Sequence, residues 1–171
     1  LITEGDLERV RHWRMQPDIT RYMYTDPVLT ADSQLRWFEY VSQSPKDIVW
    51  IIVLADGTPV GVLSLSDIDH LNSRCVWAYY IADPAGQGKG LAKPLECNIA
   101  DFVFETLGLQ KLWCEVFSTN ERVIALHEKF GSKVEGVFRQ HIRKGDDIFD
   151  VVRMGLLRDD WLAIRPLLKY T

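Results

Sequence analysis

Three glycines, Gly86, Gly88 and Gly90, sit between an apolar run from Cys75 to Ala82 and a long stretch from Leu91 to Leu107 with apolar residues at helical spacing. A strand that runs into such a turn and leaves it as a helix has little freedom of geometry. Glycine lets the backbone adopt positive φ and lets a ligand come close. The N-terminus of the helix that follows exposes N–H groups and partial positive charge, both of which favour an anion. Pro94 is compatible, because proline is tolerated in a first helical turn. The segment reads as a cradle for a pyrophosphate or as a tight connection, and by itself does not choose between them. Its spacing fits neither Gly-x-Gly-x-x-Gly nor Gly-x-x-x-x-Gly-Lys-Ser/Thr, which disfavours dinucleotide and nucleoside triphosphate readings.

Around the cradle the pattern alternates between strands and helices. Asp6 can cap a first helix carrying Leu7, Val10 and Trp13 that ends before Pro17, and Thr30 can cap a second that runs to about Ser42 before Ser44-Pro45. Val49 to Leu54, the turn Asp56-Gly57 and Val60 to Leu65 read as a hairpin. Leu91 to Leu107 reads as one helix closed by Gly108. Strand 111–117, helix 120–130, and strands 133–142 and 148–157, with Lys144 to Asp147 as the last turn, complete the sheet. The expectation is one α/β domain over 1–171, with a single twisted mixed sheet flanked by helices.

Composition narrows the partners. At 171 residues, 47% hydrophobic and 26% charged, the chain suits one well-buried core and is short for two ordinary domains. A net charge of −4 with scattered Lys and Arg speaks against nucleic acid. Cys75, Cys97 and Cys114 lie in apolar stretches without metal-ligand spacing, so they read as buried free thiols in a reducing compartment, with no metal. No apolar run reaches transmembrane length and no signal peptide opens the chain, so no membrane partner is expected.

Gln87-x-x-Gly90-x-Ala92 resembles the Gln/Arg-x-x-Gly-x-Gly/Ala signature of the GNAT superfamily of N-acetyltransferases. After a strand, Lys111 to Val116, the run Asn120-Glu121-Arg122-Val123-Ile124-Ala125-Leu126-His127-Glu128-Lys129-Phe130-Gly131 is similar to the Asn-x-x-Ala-x-x-Leu-Tyr-Glu-Lys-x-Gly-Phe helix of that family. The resemblance implies acetyl-CoA as co-substrate, a cytoplasmic location, and a GNAT fold whose sheet splays at the acetyl-CoA site. It places Ile81, Ala82, Gln87, Gly88, Lys89, Gly90, Leu91, Ala92 and Asn120 at the coenzyme. As a helix N-cap, Asn120 has an equally good structural explanation. The N-terminal third, with Trp13-Arg14, Arg21 to Thr25 and Leu35-x-Trp37-Phe38, resembles the subgroup that acetylates the 4-amino group of a UDP-4-amino-4,6-dideoxy sugar in pseudaminic acid biosynthesis. Flagellin glycosylation is one destination of that sugar. Ribosomal-protein N-terminal acetyltransferases share part of this pattern, and a non-catalytic coenzyme-binding module is the third reading.

Amide formation from a thioester needs a base for the amine proton, a donor for the oxyanion and a proton for the departing thiolate. Glu115 is the first candidate base, perched on a strand where it faces a cleft or solvent, with Asp67 and Asp69 as rival carboxylates. His127 stands where the family has a tyrosine that protonates the thiolate. An imidazole can do this near neutrality, or it can be a packed helix histidine. A backbone N–H near Ile81 or Tyr80 is the expected oxyanion donor. Arg14 and Arg21 with Trp13, Tyr22 and Trp77 are candidate acceptor contacts, since a UDP sugar calls for cations and a flat apolar face, and Ser66 and Asp67 are expected at the acceptor as well. A homodimer through exposed sheet edges stays open.

Overall fold

A computed structural model describes residues 1–170. The hairpin expected around Asp56-Gly57 is β1 (Ile48–Val53) with β2 (Pro59–Asp69), paired antiparallel from Ile48↔Leu65 to Val53↔Pro59. Gly57 takes φ +89° in the turn, and Asp56 Oδ1 accepts the Thr58 N–H at 2.9 Å. β3 (Arg74–Ile81) runs parallel to β4 (Lys111–Phe117) over Arg74↔Lys111 to Val76↔Trp113. β5 (Lys133–Lys144) and β6 (Asp147–Leu157) form the last hairpin, turning at Gly145 with φ +60°. The strand order is β1-β2-β3-β4-β6-β5, an open, mixed six-stranded sheet with flanking helices, as the alternation of elements implies.

Contacts divide the chain into two compact units, Leu1–Ile68 with Trp77–Lys89, and Asp69–Val76 with the chain from Gly90 onward. In the first, α1 (Leu7–Arg14) turns Val10 and Trp13 onto Val49, Val62 and Ala82. α3 (Ala31–Gln43) contributes Trp37 and Val41 to the same cluster. Thr30 caps α3 as expected, its Oγ1 accepting the Ser33 N–H while Ser33 Oγ accepts the Thr30 N–H. Asp6 departs from expectation: its carboxylate accepts from the Thr3 N–H and hydroxyl, and so closes the preceding turn instead of capping α1. Pro17, read as a terminator, opens a further helical turn, α2 (Pro17–Thr20), because proline at a first helical position lacks only an N–H that would bond nothing.

In the second unit the helix predicted over 91–107 begins as α4 (Ala92–Asp101) and widens into a π-helical turn, Phe102–Thr106, where the Leu107 N–H reaches back to Phe102 O. Asp101, at the junction, accepts from Trp161 Nε1 at 2.9 Å and from the Arg165 guanidinium. Trp161 lies on α6 (Arg158–Ile164), which sequence patterning missed because a single buried tryptophan stands among charged residues. α5 (Glu121–Lys129) completes the unit. Trp161, Phe104, Phe117 and Leu112 are fully buried, and each contributes roughly 1.5–3 kcal/mol by leaving water. Cys75, Cys97 and Cys114 are buried thiols.

Two glycines in the first unit are required by close approach. A Cβ on Gly61 would land on the carbonyl oxygen of Tyr80, with Tyr80 C and Ile81 Cα both at 3.1 Å. A Cβ on Gly86 would meet Ile81 Cγ2 at 2.7 Å and Val60 Cβ at 2.9 Å. Backbone cannot step aside as a flexible side chain can, so Gly61→Ala is expected to destabilise the fold by about 1–3 kcal/mol. Urea unfolding measures this; a loss below about 0.5 kcal/mol, the level of an ordinary surface change, would refute the close-packing account.

Candidate active site

The glycine turn has two halves. In the first unit, the Ala82 and Asp83 N–H groups both donate to Val60 O, at 2.9 and 3.0 Å, and Asp83 Oδ1 accepts the Ala85 N–H. Gly86 is buried against Val60 and Ile81, while Gln87, Gly88 and Lys89 stand exposed. Gly88 has φ +70° and space for a Cβ with nothing within 4 Å. Lys89 is close enough to Asp56 to help lower that carboxyl's pKa, after the hydrogen bonds from Thr58. On the other side Gly90 takes φ +68°, again with nothing near, and Leu91 and Ala92 lead into α4. Left-handed glycines with open faces beside a helix start are what an incoming pyrophosphate requires.

The first unit also encloses a cavity of about 350 Å³ lined by Val10, Arg14, Thr25, Pro27, Leu29, Ser33, Gln34, Trp37, Val49, Val62, Ser64 and Tyr80. Among these described residues Arg14 carries the one charge. Its Nη2 donates to Thr25 Oγ1 at 3.0 Å, while its Nη1 is buried without a hydrogen-bond partner. Burial lowers the Arg14 pKa, with Tyr80 and Asp26 opposing, yet a guanidinium stays charged in proteins. Burial pushes the Tyr80 hydroxyl up to about 12, with Arg14 opposing, so it remains a neutral hydrogen-bonding group. A partly desolvated cation with an unused N–H can accept an anion, and Trp37 and Tyr80 give the cavity flat faces.

In the second unit, His127 on α5 and Glu96 on α4 are 4% and 3% exposed, and His127 Nδ1 lies 2.7 Å from Glu96 Oε1. Cys114 of β4 is also hydrogen-bonded to the ring. Burial alone would lower the His127 pKa. The hydrogen bonds and charge interactions with Cys114 and Glu96 outweigh it and raise the value to about 10. Withdrawing two ionised groups from water costs several kcal/mol each, recovered only when the pair is well bonded.

Glu115 is partly buried on β4, and its Oε1 accepts both Nε and Nη2 of Arg153 on β6, at 3.1 and 2.9 Å. Arg153 in turn lies 3.5 Å from the centroid of the Trp113 ring. Glu115 is therefore anchored by a stacked guanidinium, a setting the sequence did not disclose.

The structure brings some of the expected residues together and leaves others apart. Gln87 to Ala92 form the turn as expected, following Ile81 and Ala82. Asn120 stands at the N-cap position of α5, but its side chain makes no capping bond, which removes that structural explanation for it. Arg14 points into the cavity, whereas Trp77 is 4% exposed and stacks on Tyr79, outside the lining. Ser66 and Asp67 also lie outside it; Asp67 is exposed on β2 with φ +48°. Gln34, Glu96 and Arg153 went unread, while Trp37 was read only within a family pattern and Tyr80 only as a backbone donor. Of these, Glu96 alone carried a signal, an acid at an apolar-face position of α4 beside Cys97, Ile99 and Ala100.

An open mixed sheet flanked by helices, whose third strand leads through a glycine turn into a helix, is the architecture of an acyl-coenzyme A transferase. The profile of the acetyltransferase (GNAT) domain family matches residues 1–133, and the chain belongs to that family as an acetyl-CoA-dependent N-acetyltransferase. Spermidine N(1)-acetyltransferase of Escherichia coli K12 is 29% identical over 160 residues, covering 92% of this chain and 84% of the relative. Acetyltransferase PseH of Campylobacter jejuni is 25% identical over 128 residues, covering 75% and 77%. The crystal structure of spermidine N-acetyltransferase from Vibrio cholerae with CoA and spermine shares the fold, with a TM-score of 0.89, 23% identity, and coverage of 94% and 95%. No helix among the described residues is long and apolar enough to cross a membrane.

The raised His127 pKa makes stability depend on pH. The contribution of the buried pair is complete below about 6.5, the unfolded value, and disappears as pH rises through about 10. The gap in unfolding free energy between the wild type and His127→Gln should therefore narrow steadily across that window. A gap that stays constant, or widens with pH, would contradict a charged ring.

Proposed function

We propose that this N-acetyltransferase acetylates the 4-amino group of a UDP-4-amino-4,6-dideoxy sugar of the pseudaminic acid type, by direct attack of the amine on acetyl-CoA in a ternary complex. The observation that carries the reading is the unpartnered, buried Nη1 of Arg14 in a cavity whose other lining groups are neutral. A diphosphate would supply the missing acceptor, sugar hydroxyls would meet Ser33, Gln34 and Ser64, and a flat base would meet Trp37 or Tyr80. A cytoplasmic location agrees with where such sugars and acetyl-CoA occur.

In this reading the turn from Gln87 to Ala92, with Ile81, Ala82 and Asn120, holds the coenzyme, and the resemblance of these residues to the family pattern supports it. Glu115 receives the amine proton through water, its carboxylate oriented by Arg153. His127 meets the departing thiolate. Ser66, Asp67 and Trp77 are outer acceptor contacts that the cavity itself does not support.

The spermidine N-acetyltransferase relatives favour a second reading, a polyamine acceptor. A polycation needs carboxylates, and the cavity offers a cation in their place, with Asp26 near Arg14 as the acid within reach. A protein N-terminus and a purely coenzyme-binding role stand behind these two.

Release of free thiol from acetyl-CoA, followed with the UDP-amino sugar, spermidine and an alanine-starting peptide as parallel acceptors, decides among them. Turnover on the sugar alone is expected, and turnover on spermidine or peptide alone would reassign the acceptor. With the sugar, Arg14→Met should raise the acceptor KM on the order of tenfold to a hundredfold, the worth of a charged hydrogen bond, and leave the acetyl-CoA KM near the wild-type value. An unchanged acceptor KM would remove Arg14 from the site.

A further inference from the structure

Gln34 is 5% exposed on α3 and lines the cavity that holds Arg14. Its short hydroxyl neighbours there are engaged within the protein. Ser33 Oγ accepts the Thr30 N–H and donates to Thr30 O, Thr25 Oγ1 accepts from Arg14, and Ser64 Oγ reaches Ala78 O at 3.5 Å. No hydrogen bond joins the Gln34 amide to another described residue. Withdrawing an amide from water without a partner costs free energy that a leucine in the same place would not, so the packing of α3 does not call for a glutamine.

The amide carries a carbonyl acceptor and an N–H donor side by side in one plane. It is satisfied at both at once by a planar group that offers a donor next to an acceptor, as a uracil ring does at N3–H and either neighbouring carbonyl. A lone sugar hydroxyl matches that pair less well. Trp37 follows Gln34 by three residues on α3, and side chains so spaced are neighbours on one helix face. Both line the cavity, so a flat ring laid on the indole presents its edge to the amide. Stacking on an aromatic face accepts any base, which leaves the choice of base to the group that meets the edge.

We propose that Gln34 is a specificity-determining residue for the sugar-nucleotide acceptor: its amide pairs with the N3–H and an adjacent carbonyl of a uracil ring stacked on Trp37, while Arg14 Nη1 takes the diphosphate. This rests on the UDP-sugar reading of the cavity and moves Gln34 from the sugar hydroxyls to the base. A uracil methylated at N3 loses the donor and leaves the buried amide carbonyl unpaired. A site built to bond a polar group rejects the analogue that lacks it.

Calorimetric binding of UDP and of 3-methyl-UDP, whose uracil N3 carries a methyl group, to the full chain tests this in the wild type, Gln34→Met, Gln34→Asn and Arg14→Met. The wild type is expected to hold UDP on the order of tenfold to a hundredfold more tightly than 3-methyl-UDP. Gln34→Met should weaken UDP and bring the two ligands within about twofold of each other. Arg14→Met should weaken both by a similar factor and keep their ratio, because it removes a contact to the diphosphate and not to the base. Gln34→Asn, which keeps the amide at shorter reach, should fall between wild type and Gln34→Met, and covers the case in which Gln34→Met does not fold. A packing role for Gln34 would move both affinities together and leave the ratio intact. If Gln34→Met keeps the wild-type ratio, or the wild type holds both ligands alike, the role of Gln34 is overturned, while the UDP-sugar reading survives wherever Arg14→Met weakens UDP. A wild type that binds no UDP would remove that reading and this inference with it.

Discussion

The carbonyl of Val60 is the point on which the first half of the glycine turn depends. It accepts two successive N–H groups, from Ala82 and Asp83, as the chain leaves β3, and this fixes where the turn begins. Gly61 and Gly86 make that approach feasible, because a side chain at either position would strike Tyr80, Ile81 or Val60. From there the chain needs two left-handed residues, Gly88 and Gly90, to reach the first turn of α4. A ligand site made of backbone is only as well placed as the strand that carries it, and here β2 supplies the register.

The two units contribute different chemistry. The first holds a cavity with one desolvated guanidinium, flat aromatic faces and neutral hydroxyls, suited to a polar anion. The second holds two ionised pairs of opposite character. Glu115 with Arg153 is partly open to solvent and braced on Trp113, whereas Glu96 with His127 is almost wholly withdrawn from water. The exposed pair is screened and adaptable, and the withdrawn one feels each neighbouring charge strongly. That contrast explains why the withdrawn His127 ring holds its proton well above the ordinary histidine range.

Most elements were legible because they rest on local chemistry. Thr30 capped its helix, the Asp56-Gly57 hairpin formed, and the strands from Lys111 and Asp147 followed their apolar runs. The first helix ends before Pro17 as expected, and what was missed has more than one cause. Pro17 ends one helix and begins another, Asp6 finds Thr3 before it can cap α1, and the helix after the glycine turn changes its winding beside Asp101, which is committed to Trp161 and Arg165 sixty residues later in the chain. Only the last turns on partners remote in sequence, since Thr3 lies three residues from Asp6.

For the site, the sequence by itself determined the family, the glycine turn and the histidine that replaces a tyrosine, because these follow from residue types at fixed spacing along one stretch of chain. Tertiary structure alone decided that Trp77 goes to the core while Trp37 and Tyr80 line the cavity, that Arg14 retains an unpaired N–H, and that Glu115 and His127 each acquire a charged partner. The physical reason is that burial and charge pairing join residues far apart in sequence, Glu96 with His127 and Glu115 with Arg153, and an ionisable group takes its chemical character from those neighbours more than from its own type.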